Sequence, residues 1–180
     1  MNDVSREYGG ALFELADGEN ISKEILDEIR AVAPFFERGS DYVRLLTTPN
    51  ISAPERVKCV RDAFGGKVNG YLVNFISLMT ERGRAYDVAD SFVEYERRYN
   101  EKNGICTVKV KSAVPLSDSQ MDALKAKLSK HFKKTVELSC EVDPSLIGGL
   151  TVCADGELID GSVSAKISEI RKKLAEASIT

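Results

Sequence analysis

The sequence predicts an α+β fold, mostly α: a six-helix bundle over residues 1–104, followed by a small mixed β-α-β domain over residues 105–180. Three observations carry this expectation. Six segments ahead of Gly104 repeat apolar residues at helical spacing. At Ile105 the period changes to two, with Cys106, Val108 and Val110 alternating with Thr107, Lys109 and Lys111. Beyond that strand, the order of periods is helix, strand, hairpin, helix.

The first helix, residues 3–17, places Val4, Tyr8, Ala11, Leu12 and Leu15 on one predicted stripe. Gly9-Gly10 weakens it by about 1–2 kcal/mol of propensity but admits close approach of another helix. Asp17-Gly18-Glu19-Asn20 is expected to end it and to cap the next helix, whose stripe is Ile21, Ile25, Leu26, Ile29 and Val32. Pro34 should break or kink that second helix. Ser40-Asp41 caps a short third helix with Val43, Leu45 and Leu46, closed by Pro49. Ser52-Ala53-Pro54-Glu55 has capping-box spacing, and Val57, Val60 and Phe64 should face inward before Gly65-Gly66. The fifth helix, from Val68 to Thr80, is apolar on most sides, which marks a central helix or one that meets a partner. Arg82-Gly83 ends it, and a sixth helix over about 85–102 repeats Val88, Phe92, Tyr95 and Tyr99.

In the second part, Pro115 closes the first strand and Ser117-Asp118-Ser119-Gln120 repeats the capping-box spacing. Met121, Leu124 and Leu128 form the stripe of a helix that ends near His131. Val136, Leu138, Cys140 and Val142 alternate in a second strand, with Cys140 in the apolar phase. The stretch VDPSLIGGLTVCADGELIDGSV, residues 142–163, reads as a bend, a strand, a tight Asp155-Gly156 turn, a short strand and a helix start at Ser162. Gly148-Gly149 suits a bulge or a close backbone approach. Cys153 is out of phase with Leu150 and Val152 and should face the other side of its strand. The last helix, residues 162–177, aligns Val163, Ile167, Ile170 and Leu174, with Arg171-Lys172-Lys173 near its C-terminus.

Composition narrows the function classes. No apolar run approaches the roughly 20 residues that span a bilayer, and the acid-rich start resembles neither a signal nor a transit peptide, so the chain is expected to stay in the cytosol. Residues 1–41 hold four Lys and Arg against ten Asp and Glu, which disfavours nucleic acid and suits a basic protein partner. The four cysteines are dispersed and are read as reduced thiols, and the lone His131 has no partner set for a metal. No G-x-S-x-G, His pair, Walker loop or G-x-G-x-x-G is present, so no catalytic, cofactor or metal residue is assigned.

One family does fit. DPSLIGGL, a short gap and LIDGSV resemble the signature region of the F-type ATP synthase delta subunit, the oligomycin-sensitivity-conferring protein family. Tyr8-Gly9-Gly10-Ala11-Leu12-Phe13-Glu14-Leu15-Ala16 is similar to its opening helix, and Asn74-Phe75-Ile76 with Arg82-Gly83-Arg84 to its middle segment. Cys153 and Ala154-Asp155 stand where the family tends to carry a basic residue and a glycine, and Gly9-Gly10 replaces an Ala-Lys-like pair. The resemblance implies a non-catalytic stator subunit without cofactor, bacterial and peripheral to the inner face of the cell membrane. It implies that a groove between the first and fifth helices binds the N-terminal helix of an alpha subunit. Matching positions are Tyr8, Ala11, Leu12, Asn74, Phe75, Leu78 and Arg84, each of which reads equally well as plain core. It further implies that b-type stalk subunits meet the second domain, at Gly148, Gly149, Ile167, Ile170 and Leu174; for Gly149 taken alone, a purely local turn role is the better reading. Two other classes stay open: a helical adaptor for an unrelated amphipathic helix, and an enzyme that holds a phosphate at the Gly-Gly turn.

Overall fold

The computed structural model describes residues 2–154 and 157–177, with the backbone alone for Glu157 and residues 172–177. The expected Asp155-Gly156 turn and the side chain of Leu174 lie outside the described residues. The chain divides into two compact units, Met1–Tyr99 and Asn100–Thr180.

The first unit is built from α1 (Asp3–Gly18), α2 (Ser22–Val32), α3 (Asp41–Thr47), α4 (Ala53–Phe64), α5 (Gly70–Glu81) and α6 (Val88–Asn103), the last running on past Tyr99. Pro34 sits in a 3-10 turn, Ala33–Phe36, because a proline cannot continue the α2 hydrogen-bond ladder. Ser40 caps α3 by accepting from the Val43 N–H, and Glu55 returns a bond to the Ser52 N–H at the start of α4 (3.0 Å). Leu12, Phe13, Ile25, Leu26, Ile29, Val32, Phe36, Leu46, Val60, Leu72, Ile76, Met79, Phe92 and Tyr95 fill the core. Tyr95 is fully buried and donates its hydroxyl to the Ser22 carbonyl at 2.9 Å, which satisfies its one polar atom.

Three expectations are corrected here. The buried face of α1 is Ser5, Gly9, Gly10, Leu12, Phe13 and Ala16, rotated from the expected stripe; Tyr8 is half-buried, and Ala11 and Leu15 are exposed. The glycine pair turns inward, where the Ser91 carbonyl and the Arg98 guanidinium occupy the space that side chains at Gly9 and Gly10 would need. Leu45 is exposed, since α3 buries only Val43 and Leu46. The α2 start has Ile21 at its cap position with no side-chain cap; Asn20, at φ +59°, serves the end of α1 instead.

The second unit holds β1 (Ile105–Ser112), α7 (Asp118–Phe132), β2 (Thr135–Val142), β3 (Leu150–Ala154), β4 (Glu157–Asp160) and α8 (Val163–Ala177). The sheet order is β2-β1-β3-β4, with β2 parallel to β1 and the other pairs antiparallel. The parallel pair requires a crossover, which α7 supplies. Cys106, Val108, Val110, Val136, Val152 and Ala154 form the buried face with Leu128 of α7. Cys153 faces the other way and is exposed. Cys140 is also exposed, contrary to its apolar phase: β2 is an edge strand, and burial fades along it after Leu138.

Candidate partner-binding surfaces

The first helix is held at its start by Asn2. Its Oδ1 accepts from the Ser5 N–H (2.8 Å) and hydroxyl (2.7 Å), and its Nδ2 donates to Asp87 Oδ1 (2.9 Å). Arg84 Nη1 lies 3.5 Å from Asp87 Oδ2, so the candidate Arg84 belongs to a polar cluster at the N-terminal end of α1.

Helices α1 and α5 pack directly on each other. Each also keeps an apolar edge out of the core. On α1 this edge is Ala11 and Leu15, the latter 46% exposed, bordered at helical spacing by Tyr8, which is half-buried and packs partly against the core. On α5 it is Tyr71 and Leu78, each 39% exposed, with Asn74 exposed between them. Leu12 (5%) and Phe75 (8%) are instead core residues behind these edges. Leu15 and Tyr71 were absent from the family-matched positions; Leu15 lay on the expected stripe, and Tyr71 in the over-apolar fifth helix. The α5 start is tied to α2: the Asn69 N–H lies 2.9 Å from both Glu28 carboxylate oxygens, and Asn69 Nδ2 donates to Glu24 (3.0 Å). A carboxylate thus already occupies the positive end of that helix.

In the second unit, Gly148 and Gly149 serve the chain itself. The Gly148 carbonyl accepts from the Val163 N–H (2.9 Å), and the Gly161 N–H donates to the Leu150 carbonyl (3.0 Å). Gly149 has φ +83°, and a Cβ there would meet the Gly161 carbonyl oxygen at 2.5 Å. The N–H groups of Ser162, Val163 and Ala165 donate to Asp160, Gly148 and Ser162, so the chain itself satisfies these donors at the start of α8. The Ser162 hydrogen bonds hold Asp160 below the usual carboxylate range. Along α8, Val163, Ile167 and Ile170 are all exposed, the last at 57%. An amphipathic helix with its apolar side uncovered is suited to bind another protein.

Among the described residues no group of three or more His, Cys, Asp or Glu is placed to hold a metal. His131 is exposed and meets Phe132 edge-on. Cys106 lies in the second core, Cys59 is half-buried, and Cys140 and Cys153 are exposed.

The family model described as ATP synthase delta (OSCP) subunit matches residues 4–174. The ATP synthase subunit delta of Clostridium perfringens is 30% identical over 169 residues, covering 94% of each chain. That of Parvibaculum lavamentivorans is 32% identical over 183 residues, covering 99% of this chain and 92% of the relative. A chain in the Toxoplasma gondii mitochondrial ATP synthase hexamer superposes with a TM-score of 0.77 over 97% of this chain and 98% of its own length, at 15% identity, which shows the shared fold. With a family model matched along nearly its whole length, and relatives of similar length at about a third identity, this chain belongs to the ATP synthase delta (OSCP) subunit family, the peripheral-stalk subunits of F-type ATP synthase.

Proposed function

We propose that this peripheral-stalk subunit ties the catalytic head to a b-type stalk and resists rotary torque by holding one helix of each partner. The α1–α5 edges, Tyr8, Ala11, Leu15, Tyr71 and Leu78, receive the N-terminal helix of an alpha subunit, with Asn74 and Arg84 as polar rim. The second unit receives the stalk along Val163, Ile167, Ile170 and, by sequence continuation, Leu174. The observation that carries the reading is the pair of uncovered apolar edges on two helices in direct contact. The acidic excess of residues 1–41 steers a basic segment toward this unit. Such a strut needs long residence and no turnover, so its residues are anchors rather than acids, bases or nucleophiles. Its attachment to a bacterial cell membrane is through the complex; among the described residues no helix is long and apolar enough to cross a bilayer.

Calorimetric titration of the full chain with a peptide of the same organism's alpha-subunit N-terminus tests this. One-to-one binding is expected, weakened by about 2 kcal/mol in Tyr8→Ala and in Leu78→Asp. A folded chain that ignores this peptide but binds an unrelated amphipathic helix would favour the general adaptor.

A further inference from the structure

The contacts that fix α1 from behind lie along α6 and the turn just before it. Asn2 reaches Asp87, Gly9 abuts Ser91 and Glu94, Phe13 meets Tyr95 edge-on at 5.6 Å, and Glu14 accepts from Arg98 Nη1 at 3.0 Å. Contact positions rise together along both helices, so α1 and α6 run in the same direction over most of the length of α1. Two features make this seam specific. At Gly9 an added Cβ would lie 2.4 Å from the Ser91 carbonyl oxygen and 2.9 Å from Glu94 Cβ. At Gly10 the space a side chain would fill is taken by the Arg98 guanidinium, 2.5 Å from the Cβ position. That guanidinium also donates through Nε to the fully buried Glu94 (2.9 Å), whose carboxylate takes a two-point contact from Arg97 (2.7 and 2.8 Å). Arg98 therefore clamps α1 to α6 through Glu14 and Glu94.

We infer that this seam sets the position of the α1 wall of the partner groove, with Gly9 and Arg98 as positioning residues that never touch the partner. The inference rests on the groove reading above. It follows from which atoms can give way. The Gly9 clash is with backbone of another helix, so relief requires α1 itself to shift. The Gly10 clash is with the far end of a flexible side chain, which can swing out; that gives up the single Glu14 tie but forces nothing against backbone. A groove that accepts a helix by shape loses affinity when one wall moves by a fraction of an ångström.

The test is calorimetric titration of the full chain, wild type and variants, with the alpha-subunit N-terminal peptide, each variant checked by circular dichroism. Gly9→Ala is expected to weaken binding at least tenfold, and Gly10→Ala less than threefold. Asn2→Ala combined with Arg98→Met removes two polar ties without inserting bulk; it is expected to weaken binding three- to tenfold and serves if Gly9→Ala does not fold. Val43→Ala, buried on α3 and making none of the seam contacts named above, controls for stability and should leave affinity within twofold. Wild-type affinity retained in both Gly9→Ala and the double variant would overturn the inference while the groove stands. An equal loss in Val43→Ala would overturn it as a mere stability effect. Absence of wild-type binding would overturn the groove and this inference together.

Discussion

Replacing Gly149 by alanine should be the most damaging glycine substitution in the second unit, because two penalties coincide there. The backbone sits at φ +83°, a left-handed conformation that costs an L-residue about 1–2 kcal/mol. The new methyl would also meet backbone only: the Gly161 carbonyl oxygen at 2.5 Å, Ser162 Cα at 2.9 Å and Val163 N at 3.2 Å. Moving that segment away breaks the Val163-to-Gly148 and Gly161-to-Leu150 hydrogen bonds, each worth about 1 kcal/mol. The expected loss is about 3–4 kcal/mol. Two other glycines of the same unit separate the terms. Gly104 has φ +61° with nothing within 4 Å, so Gly104→Ala should show the conformational term alone, about 1–2 kcal/mol. Gly148→Ala meets the movable Val163 Cγ2 at 3.1 Å and should cost below about 1 kcal/mol. Urea unfolding of the full chain, with amide exchange at Gly161 and Val163, reads both the size and the place of the effect. If Gly149→Ala is no costlier than Gly104→Ala and the two amides keep their protection, the steric argument is refuted.

Acid should weaken the protein partly through Glu94. Hydrogen bonds from Arg97, and then from Arg98, outweigh burial and hold its carboxyl at about 2, against an ordinary value of 4.5. A folded value below the unfolded one means the contribution is complete above pH 4.5 and is lost as pH falls toward 2, up to about 3 kcal/mol. Glu55, Asp143 and Asp160 are lowered by serine hydrogen bonds and act in the same direction. The measurement is therefore the difference in urea midpoint against pH between wild type and Glu94→Gln, and parallel curves would refute it. Tyr95→Phe should cost about 1–3 kcal/mol because the Ser22 carbonyl is left without its buried donor; an unchanged thermal midpoint would show that water replaces it.

Local chemistry was legible at most element boundaries, the start of α2 excepted. Caps at Ser40 and Ser117, the 3-10 turn at Pro34 and the change from helical to alternating period at Ile105 all depend on neighbours a few residues apart. Part of the candidate surface was legible too: an α5 apolar on too many sides announced residues outside the core, and Tyr71 and Leu78 are those residues. The phase of α1 was not. Helical periodicity finds an apolar stripe but cannot say which side a neighbouring helix will press most closely. In this fold Ser91 and Arg98 of α6 take the glycine side, turning Ala11 and Leu15 outward. Cys140 failed for a related reason, since alternation fixes the side of a strand but not whether α7 reaches its far end. The sequence by itself determined the elements, most of their caps and the family. The tertiary structure alone decided which apolar residues stay uncovered, because exposure depends on contacts between residues some 80 positions apart, such as Gly9 with Ser91 and Glu14 with Arg98, and no local pattern encodes those distances.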